Sequence, residues 1–176
     1  MAGQILFTLM SVPFTADSQS WQFVPPKLII GMVVAFIILP DLPLLEQVLT
    51  GLLFGGLLIL VLALHILGHI LSSKLVSPPM TEARITPILI ETRYANDTES
   101  VSPRVHLVRS LGGPIINIVL GGISLIILDI TYNPALAFFA WAKLAIAVIV
   151  LLPFPSVDGG VIWREIFRQR SYNDGK

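Results

Sequence analysis

Cysteine is absent from the 176 residues, which excludes disulfides, thiolate-bound zinc and thiol nucleophiles, though it names no compartment. Charge is scarce as well. Asp, Glu, Lys and Arg make up 12% of the chain, against about 25% in an ordinary soluble domain, so the protein is not built to face water on every side. Neither sign dominates: 11 basic and 11 acidic residues give a formal net charge of zero, which removes the usual reason to expect a nucleic-acid partner. No solenoid repeat or low-complexity tract is present.

What is abundant is hydrocarbon. The chain is 55% hydrophobic with a mean hydropathy of +0.84. A membrane-spanning helix needs about 20 mainly apolar residues, and four stretches qualify: residues 28–45, 48–75, 111–130 and 135–152. The first is cut by "PDLP" (Pro40 to Pro43), which ends its helix early. The last two are joined by "TYNP", a tight polar turn. The expected fold is an all-α polytopic membrane protein of about four transmembrane helices with a small strand-containing cytoplasmic insert.

Residues 27–176 form the expected membrane domain, and its polar insert covers residues 77–110. There "RITPILIETRY" mixes β-branched and apolar residues as strands do, and "ANDTES" reads as a turn. Residues 1–26 carry the apolar but short "QILFTLMSVPF". No Lys or Arg precedes it and no small-residue cleavage site follows, so an interfacial or irregular segment is expected in preference to a signal peptide. Arg84, Arg93, Arg104 and Arg109 lie between spans two and three, with Lys74 just before, and Arg164, Arg168, Arg170 and Lys176 follow span four. Both regions are therefore expected in the cytoplasm, with the two termini.

This topology brings three separated stretches to one depth. "HILGH" lies at the cytoplasmic end of span two, "SLGGPIIN" opens span three there, and "PFPSVDGG" closes span four there. Residues four apart on a helix share a face, so His65 and His69 are spaced to grip one zinc ion while leaving room for a carboxylate and a water. Asp158 is the best candidate carboxylate, because Pro153 and Pro155 break the helix before it and Gly159 and Gly160 follow. Taken alone, such a histidine pair more often bridges helices than binds metal.

In that order, "HILGH", "SLGGPIIN" and "LLPFPSVDGG" resemble the three signature segments of the site-2 protease family, the intramembrane zinc metalloproteases. The likeness covers about residues 50–170. It implies one zinc ion held by His65, His69 and Asp158. Asn117 matches the family asparagine associated with substrate or the oxyanion, and Gly113 and Pro114 match its helix-opening pair. The resemblance also implies a transmembrane protein substrate or client and a multi-pass location, expected to be the plasma membrane of a prokaryote.

Two positions depart from the family pattern. Val150 replaces the asparagine of "NLLP", and Ile66 replaces the glutamate of HExxH, leaving no confident catalytic residue. That glutamate is a general base and not a zinc ligand, so its loss need not lose the metal. General acid–base catalysis contributes about 10²–10⁴-fold, and the expectation is a pseudoprotease or very slow enzyme. Two alternatives stay open: an active metalloprotease using another carboxylate (Glu82, Glu91 or Glu165), and a metal-free scaffold. Lys143, in mid-span, is expected to snorkel, pair with Asp129 or line a cavity. His106 is expected at the surface, and Gly55, Gly56, Gly121 and Gly122 in close helix contacts.

Overall fold

A computed structural model describes residues 3–95 and 101–174, with side chains described as far as residue 168. Most of "ANDTES" and the basic residues Arg170 and Lys176 fall outside the described residues or side chains. The elements run β1 (Gln4–Leu9), β2 (Val12–Ala16), α1 (Val24–Ile38), α2 (Leu44–Ser73), β3 (Met80–Ile85), β4 (Ile90–Tyr94), α3 (Pro103–Thr131), α4 (Pro134–Leu151) and α5 (Asp158–Asp174).

Four of the helical segments are long and apolar enough to cross a membrane: Ser20–Ile38, Leu44–Ser73, Pro103–Thr131 and Pro134–Leu151. Between 17% and 39% of each apolar window is buried inside the protein. The bundle therefore presents Ile29, Val33, Ile37, Ile118, Ile126 and Val148 outward, an exterior suited to lipid and costly in water. The breaks are chemical. Proline at 40 and 43 stops α1, and Gln47 Nε2 donates to the freed carbonyls of Leu39 and Pro40 at 2.9 and 3.1 Å. At the "TYNP" turn Tyr132 takes a left-handed conformation, and Asn133 Oδ1 caps α4 by accepting from the amides of Ala135 and Leu136.

Glycine lets the helices approach. A Cβ on Gly31 would strike the backbone of Gly51 and Gly55, and one on Gly68 would strike Gly112. These contacts make α1 antiparallel to α2, and α2 antiparallel to α3. Of the four glycines expected in close contacts, Gly55 meets Leu28 and Gly121 meets Leu144, but Gly56 and Gly122 face open space.

At 30 residues, α2 is about 45 Å long, well beyond the roughly 30 Å of a hydrocarbon core. Its end carries a four-stranded sheet in the order β1-β2-β3-β4, with β2 and β3 parallel and the outer pairs antiparallel. Val12, Phe14, Ile66, Ile70, Met80 and Ala83 form the core that seats the sheet on α2. Lys27 at the base of α1 secures the β3–β4 turn, donating to the Ile88 carbonyl at 2.8 Å.

Two expectations are corrected. Residues 4–16 are not irregular: they form the β1–β2 hairpin. Its turn uses Met10 and Ser11 at positive φ (51° and 71°), where glycine or asparagine is the usual signal. Second, α3 begins at Pro103, so "GGP" lies inside the helix and does not open it; proline at a first helical position is the actual start. The tail after span four, for which no secondary structure was expected, forms a fifth helix, α5, tied back by Trp163 Nε1 donating to the Leu151 carbonyl at 2.9 Å.

Candidate metal centre

Three elements meet at the sheet end of the bundle. His65 and His69 stand one turn apart on α2, both buried. The chain after α4 reverses through Pro153 and Pro155, and α5 starts on Asp158, delivering its carboxylate to the histidines. Gly159 is needed for this reversal by closeness alone: a Cβ there would overlap the carbonyls of Leu151 and Leu152, while among the described residues no glycine takes a positive φ.

The resulting triangle is tight. His65 Nε2 lies 3.0 Å from His69 Nε2, and Asp158 Oδ2 lies 3.2 and 3.3 Å from the two. A tetrahedral ion with bonds of about 2.0–2.1 Å separates its ligand atoms by about 3.3 Å. The three edges thus match one face of a zinc tetrahedron, and the two-imidazole, one-carboxylate set is the kind that catalytic zinc sites use. Two of the three donors, Asp158 and His69, are also in suitable states. Burial alone would push the Asp158 carboxyl up, but the facing imidazoles, His65 first, outweigh that and hold it down at about 2, so it is ionised as a ligand must be. His69 Nδ1 donates to the Arg109 carbonyl at 2.8 Å, which leaves its Nε2 lone pair facing inward, the orientation that outer-shell partners impose on metal-binding histidines. Among the described residues this is the group of His, Asp and Glu side chains arranged to hold a metal.

The triangle opens onto a cavity of about 600 Å³. Ile66 and Val150 contribute apolar wall, β4 runs along it from Ile90 to Tyr94, and Ser110 and His106 line it from α3. His106, expected at the surface, is half-buried and lines this cavity. Glu91 also lines the cavity. Glu82 instead bonds Thr15, and Glu165 is buried against Arg164.

Asn117 does not line the cavity. It is fully buried, its amide occupied by His65 Nδ1 and by Lys143 Nζ, each at 3.0 Å. It thus reaches the site through His65 and not through the space a substrate would take. Lys143 neither snorkels nor pairs with Asp129, which lies 12 residues from Asn117 along α3, about 18 Å away. It is fully buried and also donates to the Val61 carbonyl at 3.2 Å.

Comparison with solved structures places this fold beside the site-2 protease from Methanocaldococcus jannaschii, with a TM-score of 0.62 and 20% sequence identity over 96% of this chain and 73% of that one. No protein-family profile matches the sequence, and no curated protein does. The likeness is one of fold: four candidate spans and a small sheet in a site-2-protease-like membrane architecture.

Proposed function

We propose that this protein is a membrane-embedded site-2-protease-like metalloprotein in which His65, His69 and Asp158 hold one zinc ion, and which binds or regulates transmembrane clients while hydrolysing peptides poorly. The observation that carries the reading is the triangle of donor atoms, whose edges of 3.0, 3.2 and 3.3 Å match one face of a zinc tetrahedron. When bound, zinc would polarise a carbonyl and acidify a water.

The protein's own residues account for recognition and for the weak chemistry. A client helix must unwind before its peptide bonds are accessible, and the edge strand β4 offers an extended segment a partner for main-chain hydrogen bonds along the cavity. Ile66 places hydrocarbon beside His65 where a proton acceptor would stand, and its side chain is packed into the apolar cluster under the sheet. The placement of Lys and Arg supports both termini in the cytoplasm, and the plasma membrane of a prokaryote rests on the family resemblance alone.

A second reading has one observation in its favour. Glu91 lies on the cavity wall, so an active protease with that carboxylate as base is the competing account. Metal analysis of protein purified without chelator tests the first claim: about one zinc per chain is expected, and none would leave a metal-free scaffold. Incubation with a reconstituted transmembrane substrate tests the second. Rapid chelator-sensitive cleavage that is lost in Glu91→Gln would replace the impaired reading with the active one.

A further inference from the structure

Lys143 sits at mid-span of α4 with none of its surface exposed. Its ammonium meets the Val61 carbonyl at 3.2 Å and Asn117 Oδ1 at 3.0 Å, and it lies 5.6 Å from the centre of the Phe139 ring. An ammonium carries donors and no acceptor, so the amide atom facing it must be the oxygen. The amide nitrogen of Asn117 is thereby turned towards His65, where Nδ2 lies 3.0 Å from Nδ1. An amide nitrogen also only donates. His65 Nδ1 therefore accepts and carries no proton, and the proton of the neutral ring sits on Nε2, between His69 Nε2 and Asp158 Oδ2.

We infer that Lys143 is a positioning residue which, through the amide of Asn117, holds His65 in its Nε2–H form and so opposes cation binding at the histidine–aspartate triangle. The first half stands on hydrogen-bond geometry with Lys143 as an ammonium; only the second rests on reading the triangle as a metal centre. A neutral imidazole that ligates through Nε2 must carry its proton on Nδ1 and find an acceptor there. Here it finds a donor. Turning the amide would satisfy His65 but would set Nδ2 against the Lys143 ammonium, donor against donor, so one buried contact is lost either way. His69 has no such conflict, because its Nδ1 faces the Arg109 carbonyl at 2.8 Å. The two histidines are thus unequal: one is arranged to ligate, and the other is held back from it by a lysine on a different helix.

The test uses the full chain in lipid nanodiscs, labelled with ¹⁵N-histidine and stripped of metal; three histidines keep the spectrum assignable. His65 is expected as the Nε2–H tautomer in the wild type. Lys143→Met removes the donors and frees the amide to turn. Asn117→Asp presents oxygen to both neighbours and keeps the lysine paired, which guards against misfolding of the first variant. Both should move the proton to Nδ1 and tighten Co(II) binding, followed by its visible absorption, by about tenfold or more. Lys143→Arg, which keeps the donors, should retain the wild-type tautomer. An Nδ1–H form already present in the wild type, or a tautomer unmoved in both variants, overturns the positioning role. Movement of the proton with unchanged Co(II) affinity overturns the opposition to the cation. Movement in variants that all fail to bind Co(II) leaves the positioning role intact and removes the metal-centre reading instead.

Discussion

The backbone of Gly113 on α3 packs face-on against His65 on α2, so that a Cβ at position 113 would fall 2.6 Å from His65 Nδ1 and 2.5 Å from His69 Nε2. The rings are held by the absence of a side chain. Gly113→Ala is therefore expected to displace both imidazoles and to weaken zinc binding, at a stability cost of about 1–3 kcal/mol for overpacking. Gly56→Ala is the contrast, because nothing lies within 4 Å of that position and alanine favours a helix over glycine by about 1 kcal/mol. Zinc titration and thermal unfolding of both variants check this; equal behaviour would refute it.

Ile66 performs two tasks at once. It is 3% exposed and packs with Val12, Phe14 and Met80 under the sheet, yet it also reaches the cavity wall. Ile66→Glu should cost roughly 1–3 kcal/mol of stability by setting a carboxylate in that apolar cluster. In protein that still folds, zinc-dependent cleavage of a reconstituted transmembrane substrate should rise by about 10²–10⁴-fold. Ile66→Gln is the matched control, similar in bulk but without a base. Cleavage that fails to rise with Glu, or that rises as much with Gln, would mean the missing base is not what limits the reaction.

Zinc binding should also register as stability. A ligand at about a hundred times its dissociation constant stabilises the folded state by about 2.7 kcal/mol. The unfolding temperature of the wild type is expected to rise with zinc and fall back with chelator, while Asp158→Ala, lacking one vertex of the triangle, responds weakly. A midpoint in the wild type indifferent to zinc would count against the metal centre.

The sheet has its own pH dependence. Arg84 donates to Asp17 at 2.9 Å, and that hydrogen bond, with the Gln19 amide next, holds the Asp17 carboxyl below its ordinary 3.8. A depressed folded pKa contributes stability that is present above the ordinary value and is lost as pH falls through the folded one. Proteolysis of the N-terminal hairpin should therefore quicken below about pH 4 at low salt, and less so at high salt. Asp17→Asn should flatten that response, and a profile identical to the wild type would refute the assignment.

Much of this was legible because it is local. Long apolar runs mark the spans, the prolines at 40 and 43 end α1, and the fixed spacing of His65 and His69 places both on one face. Asp158 was legible from its Pro/Gly surroundings. What escaped was non-local or wore the wrong residues. The β1–β2 turn is built on Met10 and Ser11, neither of which announces a hairpin. Exposure of every β1 residue erases the in–out alternation that would reveal a strand. The partnership of Lys143 with Asn117 joins two helices, and no pattern along either one predicts it. Gly56 and Gly122 show the converse: a close-packing motif is visible in the sequence, but which of its glycines faces a neighbour depends on rotation about the helix axis.

The parallel pairing of β2 with β3 has a consequence for biosynthesis. Phe14 is in register with Ala83, and 69 residues separate them (83 − 14), a stretch that contains both α1 and α2. At about 5–20 residues per second, a ribosome needs roughly 3–14 seconds to deliver the partner strand after the first hairpin is made. Throughout that interval β2 has an open main-chain edge, and the two intervening helices must insert as a pair before the edges can meet. Delay in threading either helix into the bilayer would lengthen the wait, so the vulnerable moment in this protein's life precedes its completion.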